Sequence, residues 1–388
     1  MLKIQKTTKP RRSIIRIIID LIIIIESLFI GMSYYWPPDI IRYFAFINIA
    51  LSLVLGIINL FLCTKTLFKN SHAVIAYTIL ICSTFIYGIM IRESIVYSVI
   101  FISSVMFMQT MYVHGLDNKN IQLFLKCNVL LAILHISKSL QNESYMYNAL
   151  VLAYDNPNMA GIVLSATIMP LIVGGYYWES TFRKTVLSAI TIILIYFLFQ
   201  TGNRGSIFAV FVLILFLVRY RKEIKINIII SVILSLFPLI FAISYIALMS
   251  MIPTETMFFG KPLFSGREFE WRSLFEYFIN EPFSIHLLPT GGLNMFMATV
   301  VEFGILSFFS YISLLLAVKP FGGKVVSQKF RQVAYLAFLC VYVQQTFEAT
   351  IVLGSYGVYI FSYLLLGVAC SQDGNLTNES LKKRVHGG

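Results

Sequence analysis

"TVLSAITIILIYFLFQTGNRGSIFAVFVLILFLVR", residues 185–219, is two apolar runs joined by a short polar turn. Before Arg219 the only charge in it is Arg204, inside Thr201-Gly202-Asn203-Arg204-Gly205. Runs like these need a solvent as apolar as themselves. A pair of helices crossing a hydrocarbon layer of about 30 Å satisfies them, because a helix bonds all of its own backbone.

Similar runs recur outward from this hairpin in both directions. Spans are expected near 14–34, 41–62, 72–91, 94–113, 120–138, 158–177, 185–200, 206–219, 226–250, 293–317, 333–350 and 352–369. Composition agrees: the 388 residues are 58% hydrophobic and 12% charged, where soluble chains carry about 25% charged residues. Mean hydropathy is +0.81. The expected fold is an all-α polytopic membrane protein with about twelve transmembrane helices, residues 1–388 forming a single integral membrane domain. The start, "MLKIQKTTKPRRSIIRIIIDLIIII", is basic and then apolar without a small-residue cleavage site, which reads as a retained signal anchor.

The net charge of +12 is spread over short loops, which argues for membrane topology and against nucleic acid. With the first residues placed inside, the outer side holds Arg42, Arg92, Lys138, Arg204, Lys261, Arg267 and Arg272. Lys126 falls within a span, and all other Lys and Arg fall on the inner side, an excess of about threefold that supports cytoplasmic termini at both ends. Two outer segments are long, 139–157 and 251–292, the second an outer-face loop; 371–388 reads as a cytoplasmic tail.

Inner loops are short, and neither a GxxxxGKS phosphate loop nor a DxD pair occurs. ATPase and metal-dependent nucleotide-sugar chemistry therefore have no seat in the cytoplasm. The five cysteines lie in or beside apolar runs with no CxxC pair and read as small buried hydrophobes. No two histidines have metal-ligand spacing, so neither metal nor cofactor is expected.

The runs flanking Arg204 are short, about 24 Å and about 21 Å as helices. A break over Thr201–Gly205 that dips below the outer headgroups would aim Arg204 into a protein-lined wet cavity, with an anion offsetting the cost of the charge. The alternative is a tight turn with Arg204 reaching lipid phosphate. The outer loop carries "FSGREFEWRSLFEYFINEP", 264–282. Ser265 and Glu268 form a capping-box pattern. Trp271, Leu274, Phe275 and Phe278 mark one face of an amphipathic helix. Arg267 in its first turn joins free N–H groups in a site suited to phosphate oxygens. Arg272 is flanked at four residues by Glu268 and Glu276, which ordinary surface pairing explains.

Other polar residues have competing readings. Asn156 and Pro157 read as the cap and first residue of the sixth span, ahead of Asn158. Asp20 and Glu26 are acids within the first span, either functional or paired with Arg16 or a polar neighbour. Glu302 and Glu348 lie in later spans and either line the same cavity or pair with its arginines.

In order and spacing, these motifs resemble the O-antigen polymerase and O-antigen ligase superfamily. The resemblance rests on the Gly-Asn-Arg-Gly turn, "SGREFEW", the Asn-led "LNMFMATVVEFGIL" (293–306) and "YDNPNMAGIVLSATIMPLI" (154–172), with "QQTFEATIVLGSYGVYIF" a weaker echo. It covers mainly residues 150–310.

The resemblance implies a glycosyltransferase that polymerises polyprenyl-diphosphate-linked oligosaccharide repeats into a surface polysaccharide, at the outer face of the bacterial cytoplasmic membrane. Its implied partners are that lipid-linked substrate, membrane lipid, a chain-length regulator and a flippase. It implies no nucleotide, since the lipid diphosphate is the leaving group. Arg204 and Arg267 would grip the diphosphate. Glu268 and His286, with Glu270 and Asp155, are candidate bases for the attacking sugar hydroxyl. Asn203, Asn158, Arg272, Asn294 and Glu302 are the candidate substrate contacts. Ligase-like members open the helix after the loop with His-Asn, where this chain has Leu293-Asn294; that favours polymerase over ligase. The remaining alternative is a transporter or flippase of lipid-linked sugars, which would favour internal repeats and helices broken near the midplane.

Overall fold

The computed structural model describes residues 9–33, 35, 38–62, 71–91, 95–141, 144–146, 149–152, 154, 156–220, 226, 228–248, 257–258, 261–262, 271–274, 276, 280, 294–318, 329–346 and 358–371. Almost all of them are helical. The helices are α1 (Lys9–Met32), α2 (Pro38–Leu62), α3 (Ser71–Ser83, continued by a π-helical segment Thr84–Ile91), α4 (Ile95–His114), α5 (Asn118–Ser139) and α6 (Pro157–Tyr177). They continue with α7 (Thr181–Thr201), α8 (Arg204–Arg219), α9 (Ile228–Leu248), α10 (Met295–Ala317), α11 (Lys329–Gln344) and α12 (Val358–Ala369). Eight are long and apolar enough to cross a membrane: α2, α3 with its π segment, α4, α5, α6, α7, α9 and α10. Of the rest, α8 and α11 have 16 residues each and α12 has 12, while α1 carries Arg16, Asp20 and Glu26 in its apolar stretch.

The surface of the bundle shows why it needs lipid. Phe61 is 79% exposed, Phe182 78% and Ile192 66%, whereas Glu26, Asn48, Asn128, His135 and Gln344 are buried. This inversion suits a hydrocarbon solvent: apolar side chains face outward without penalty, and polar ones turn inward to partners.

Helix α11 is the axis of the second half, packing against α6, α8, α9 and α12. From Val333 to Gln344 every residue is buried, so it is apolar all round rather than amphipathic. Around it α6 lies on α7, α3 on α10, α2 on α4, and α1 on both α2 and α5. Two short antiparallel hairpins lie in the long inter-helix segments: Tyr145–Met146 with Ala149–Leu150 (β1, β2), and Met257–Phe258 with Lys261–Pro262 (β3, β4).

The expected hairpin at 185–219 needs correcting in two ways. Helix α7 starts at Thr181 and has 21 residues, so it is not short. The break is only Gly202 and Asn203: Gly202 takes the left-handed conformation (φ 62°) that a residue without Cβ adopts freely, and Arg204 already belongs to α8. The argument from length then rests on α8 alone. Burial also revises the cysteines, since Cys340 is buried but Cys82 is exposed and Cys127 and Cys370 are half-buried.

Helix α10 contains a break of its own. Gly304 has φ 80° and ψ 167° inside the helix, and a Cβ there would come 3.1 Å from the Tyr87 ring in the π segment. Phe303, beside it, stacks on Phe101 with centroids 4.5 Å apart. In the loop before α10, residues 271–274, 276 and 280 are all helical. Trp271 and Leu274 are buried, as an apolar face at three-residue spacing requires, and the Trp271 ring meets Tyr245 of α9 edge-on at 5.3 Å.

Candidate functional site

Of the helices that begin at one end of the bundle, three begin with an asparagine. Asn156 caps α6, accepting from the Asn158 N–H at 2.8 Å, with Pro157 as first helical residue. Asn203 caps α8, accepting from the Ser206 N–H at 2.9 Å. Asn294 caps α10, accepting from the Met297 N–H at 3.0 Å. Asparagine suits this position because its short side-chain carbonyl reaches the N–H groups that the first turn leaves unbonded.

Hydrogen bonds bring the three starts together. The Asn203 amide donates to the Asn158 backbone carbonyl at 2.7 Å, joining α8 to α6. Gly161 makes that approach possible, since a Cβ there would collide with Asn203. The Asn294 amide donates to the Pro238 carbonyl at 3.2 Å, joining α10 to α9. At the centre lies the end of α11. The Gln344 amide donates to Ser165 of α6 at 2.8 Å and to Ser206 of α8 at 2.7 Å. The Gln345 carbonyl accepts from the Met295 N–H of α10 at 3.1 Å. One glutamine thus spends both N–H bonds tying the start of α8 and the third turn of α6 to the axis, and its neighbour ties the start of α10.

Each helix start carries a partial charge of about +0.5 from its aligned peptide dipoles. Three sharing one end add positive potential there, opposed by the carbonyl ends of α7, which stops at Thr201 beside the α8 start, and of α11. Half-buried Arg204, the first residue of α8, adds a full charge. Such an end favours an anionic guest with several oxygens.

The expected site residues fall into three groups. Asn203, Asn158, Asn294 and Arg204 lie at this end of the bundle. Asn203 and Asn294 spend their amides on capping and on neighbouring helices, so in this arrangement they build the site's wall. Glu302 is buried on α10, eight residues beyond Asn294, or about 12 Å along the helix. Arg272 is exposed and paired with Glu276 at 2.8 Å, four residues on, as its flanking acids suggest. Arg267, Glu268, Glu270, His286, Asp155 and Glu348 lie outside the described residues.

Gln344, Ser165 and Ser206 were missed by sequence reasoning. Their signal was present, since a glutamine pair ending an apolar run is costly in hydrocarbon unless partnered. Their partners are 179 and 138 residues away from Gln344 in the chain, which no local pattern encodes.

Of the two partners expected for the acids of α1, Arg16 or a polar neighbour, the structure has the polar neighbour. Asp20 accepts from the Asn120 amide at 2.6 Å and Glu26 from the Asn48 amide at 2.5 Å, while Arg16 pairs with Asp117 at 3.2 Å. Among the histidines, His135 meets Thr167 at 3.0 Å and His114 meets Asn59 at 2.8 Å. Among the described residues no three His, Cys, Asp or Glu side chains are grouped to hold a metal. No family model, curated protein or solved structure matches this chain.

Proposed function

We propose that this protein is a membrane glycosyltransferase that polymerises polyprenyl-diphosphate-linked oligosaccharide repeats into a surface polysaccharide. It works at the outer face of the bacterial cytoplasmic membrane, with twelve spans and both termini cytoplasmic. The observation that carries the reading is the gathering of three asparagine-capped helix starts, those of α8 and α10 on Gln344 and Gln345 and that of α6 on Asn203, with Arg204 in the first turn of one of them.

The chemistry needs little else. An acceptor sugar hydroxyl attacks the anomeric carbon of the donor, and the bond from that carbon to the diphosphate oxygen breaks. The lipid diphosphate leaves with the electron pair. Arg204 and Arg267 stabilise the charge growing on it, and the hydroxyl proton passes to a base, for which Glu268 and His286 are the candidates. No phosphoryl group moves, so no nucleotide is consumed. Asn158, Asn203 and Asn294 shape the electropositive wall, and Arg272 and Glu302 are the outlying substrate contacts.

The break at Gly304 inside α10 favours a second reading, transport of the same lipid-linked sugar, because discontinuous helices mark transporter sites. One experiment separates the two. Purified protein in detergent, given lipid-linked repeat units without nucleotide or metal, is expected to yield a ladder of longer chains. Flipping of the lipid in vesicles with no new glycosidic bond would replace the polymerase by the transporter. Transfer of finished polymer to a different acceptor, with no ladder, would replace it by the ligase.

A further inference from the structure

Outside the asparagine-capped helices, α1 and α2 hold a set of buried oxygens. Glu26 is 1% exposed, Asn48 1% and Ser52 0%. The Asn48 amide donates to Glu26 Oε2 at 2.5 Å. Glu26 Oε1, Asn48 Oδ1 and Ser52 Oγ are all buried without a hydrogen-bond partner. Ser52 stands four residues after Asn48, hence above it on the same face of α2. Tyr359 of α12 lies within electrostatic reach of Glu26 and hydrogen-bonds Ser103 of α4, so four helices meet here. Glu26 is six residues from the end of α1 and Asn48 ten from the start of α2, about 9 Å and about 15 Å along their helices. Bulk water does not reach the niche.

Ser52, like Ser98 and Ser139, has a buried hydroxyl without a hydrogen-bond partner. Several other serines turn the hydroxyl back to a carbonyl three or four residues earlier, as Ser103 does to Ile100 at 2.8 Å, Ser165 to Ile162 at 2.8 Å and Ser307 to Phe303 at 2.6 Å. Ser52 leaves that common resource unused, one turn along α2 from the asparagine that bonds the carboxylate.

We propose that Glu26, Asn48 and Ser52 form a binding niche for a sodium ion within the membrane domain. A bare carboxylate with one hydrogen bond is costly in hydrocarbon, and a cation beside it removes the cost. Three inward oxygens from a carboxylate, an amide and a hydroxyl are hard ligands of the kind that hard cations take. The charge decides the valence: one carboxylate neutralises one positive charge, and a divalent ion would leave a net charge in the bilayer. A proton competes for the niche, since protonated Glu26 and the Ser52 hydroxyl together supply two donors, whereas an ion would take lone pairs from all three oxygens at once. The proposal is independent of the polymerase reading.

The test uses full-length protein in detergent at constant pH and ionic strength, with sodium chloride replacing choline or potassium chloride. The thermal midpoint is expected to rise with sodium and saturate, with potassium at least about tenfold weaker. Glu26→Gln keeps an oxygen for the Asn48 amide but removes the charge, and is expected to lose the response. Ser52→Ala is expected to raise the half-saturating sodium concentration about tenfold, the scale of one lost polar contact to a charged group. Binding of radioactive sodium at one ion per chain, weakened in Ser52→Ala and Asn48→Ala, gives a readout that does not need Glu26→Gln to fold. A midpoint indifferent to sodium, or an unchanged response in Glu26→Gln, overturns the proposal. A midpoint that moves only on acidification also overturns it and assigns the niche to a proton.

Discussion

Arg204 and Gln344 divide the labour of the proposed site, one by charge and one by support, and their substitutions should look different. Removing a charge-stabilising donor costs about 10²–10³ in rate in well-characterised enzymes. Arg204→Ala and Arg267→Ala are each expected to lower chain elongation by about that factor, with membrane insertion and thermal midpoint unchanged. Normal polymer from either variant in a cell lacking the wild-type gene removes it from the site. Gln344→Leu takes the donor from two buried hydroxyls, Ser165 and Ser206. It is expected to cost about 1–3 kcal/mol of stability, read as a lower midpoint at normal expression. Chemistry-bearing residues near a turn were readable in the sequence because a guanidinium between apolar runs needs a reason. Gln344 was not, because its reason is spatial.

At the scale of the helix, the caps were legible and the contacts were not. Asn156-Pro157 announces the start of α6 by local chemistry, and the helix begins there. Helix α11 has no such announcement: apolar on every side, its sequence gives no face and so no neighbour. The close approach of α6 and α8 was equally hidden, though it turns on one missing Cβ. Gly161→Ala drives a methyl into Asn203 and is expected to cost about 1–3 kcal/mol by overpacking, with loss of elongation. Gly175 lies on the same helix with nothing within 4 Å of an added Cβ. Gly175→Ala is expected to be neutral or to stabilise by up to about 1 kcal/mol. Equal effects of the two on the thermal midpoint would mean that the α6–α8 contact at Asn203 does not set the position of these helices.

For the whole molecule, hydropathy alone located the helices, because lipid imposes one simple rule on every span. It could not show which polar groups inside the bundle answer each other. Asp20 with Asn120 and Glu26 with Asn48 are such pairs, each formed between helices rather than within one. The proposed orientation makes the Trp178–Ser180 connection, which joins α6 to α7, cytoplasmic, and places the Gln141 end of α5 outside. Glu179→Cys and Gln141→Cys, in a background whose native cysteines are replaced, test this with an impermeant maleimide on intact cells. Gln141→Cys is expected to label and Glu179→Cys to stay unlabelled until the membrane is opened. The reverse pattern inverts the topology and moves the gathered helix starts to the cytoplasm.

The central place of α11 also has a consequence for biogenesis. Ribosomes deliver α6, α8 and α9 well before the helix on which they all lean. Until α11 arrives, Ser165 and Ser206 lack the glutamine that joins them, and the earlier helices wait in the bilayer with an empty axis. A nascent chain halted after α10 should therefore be integrated yet open to proteases, and a separately translated piece beginning near Lys329 should close it.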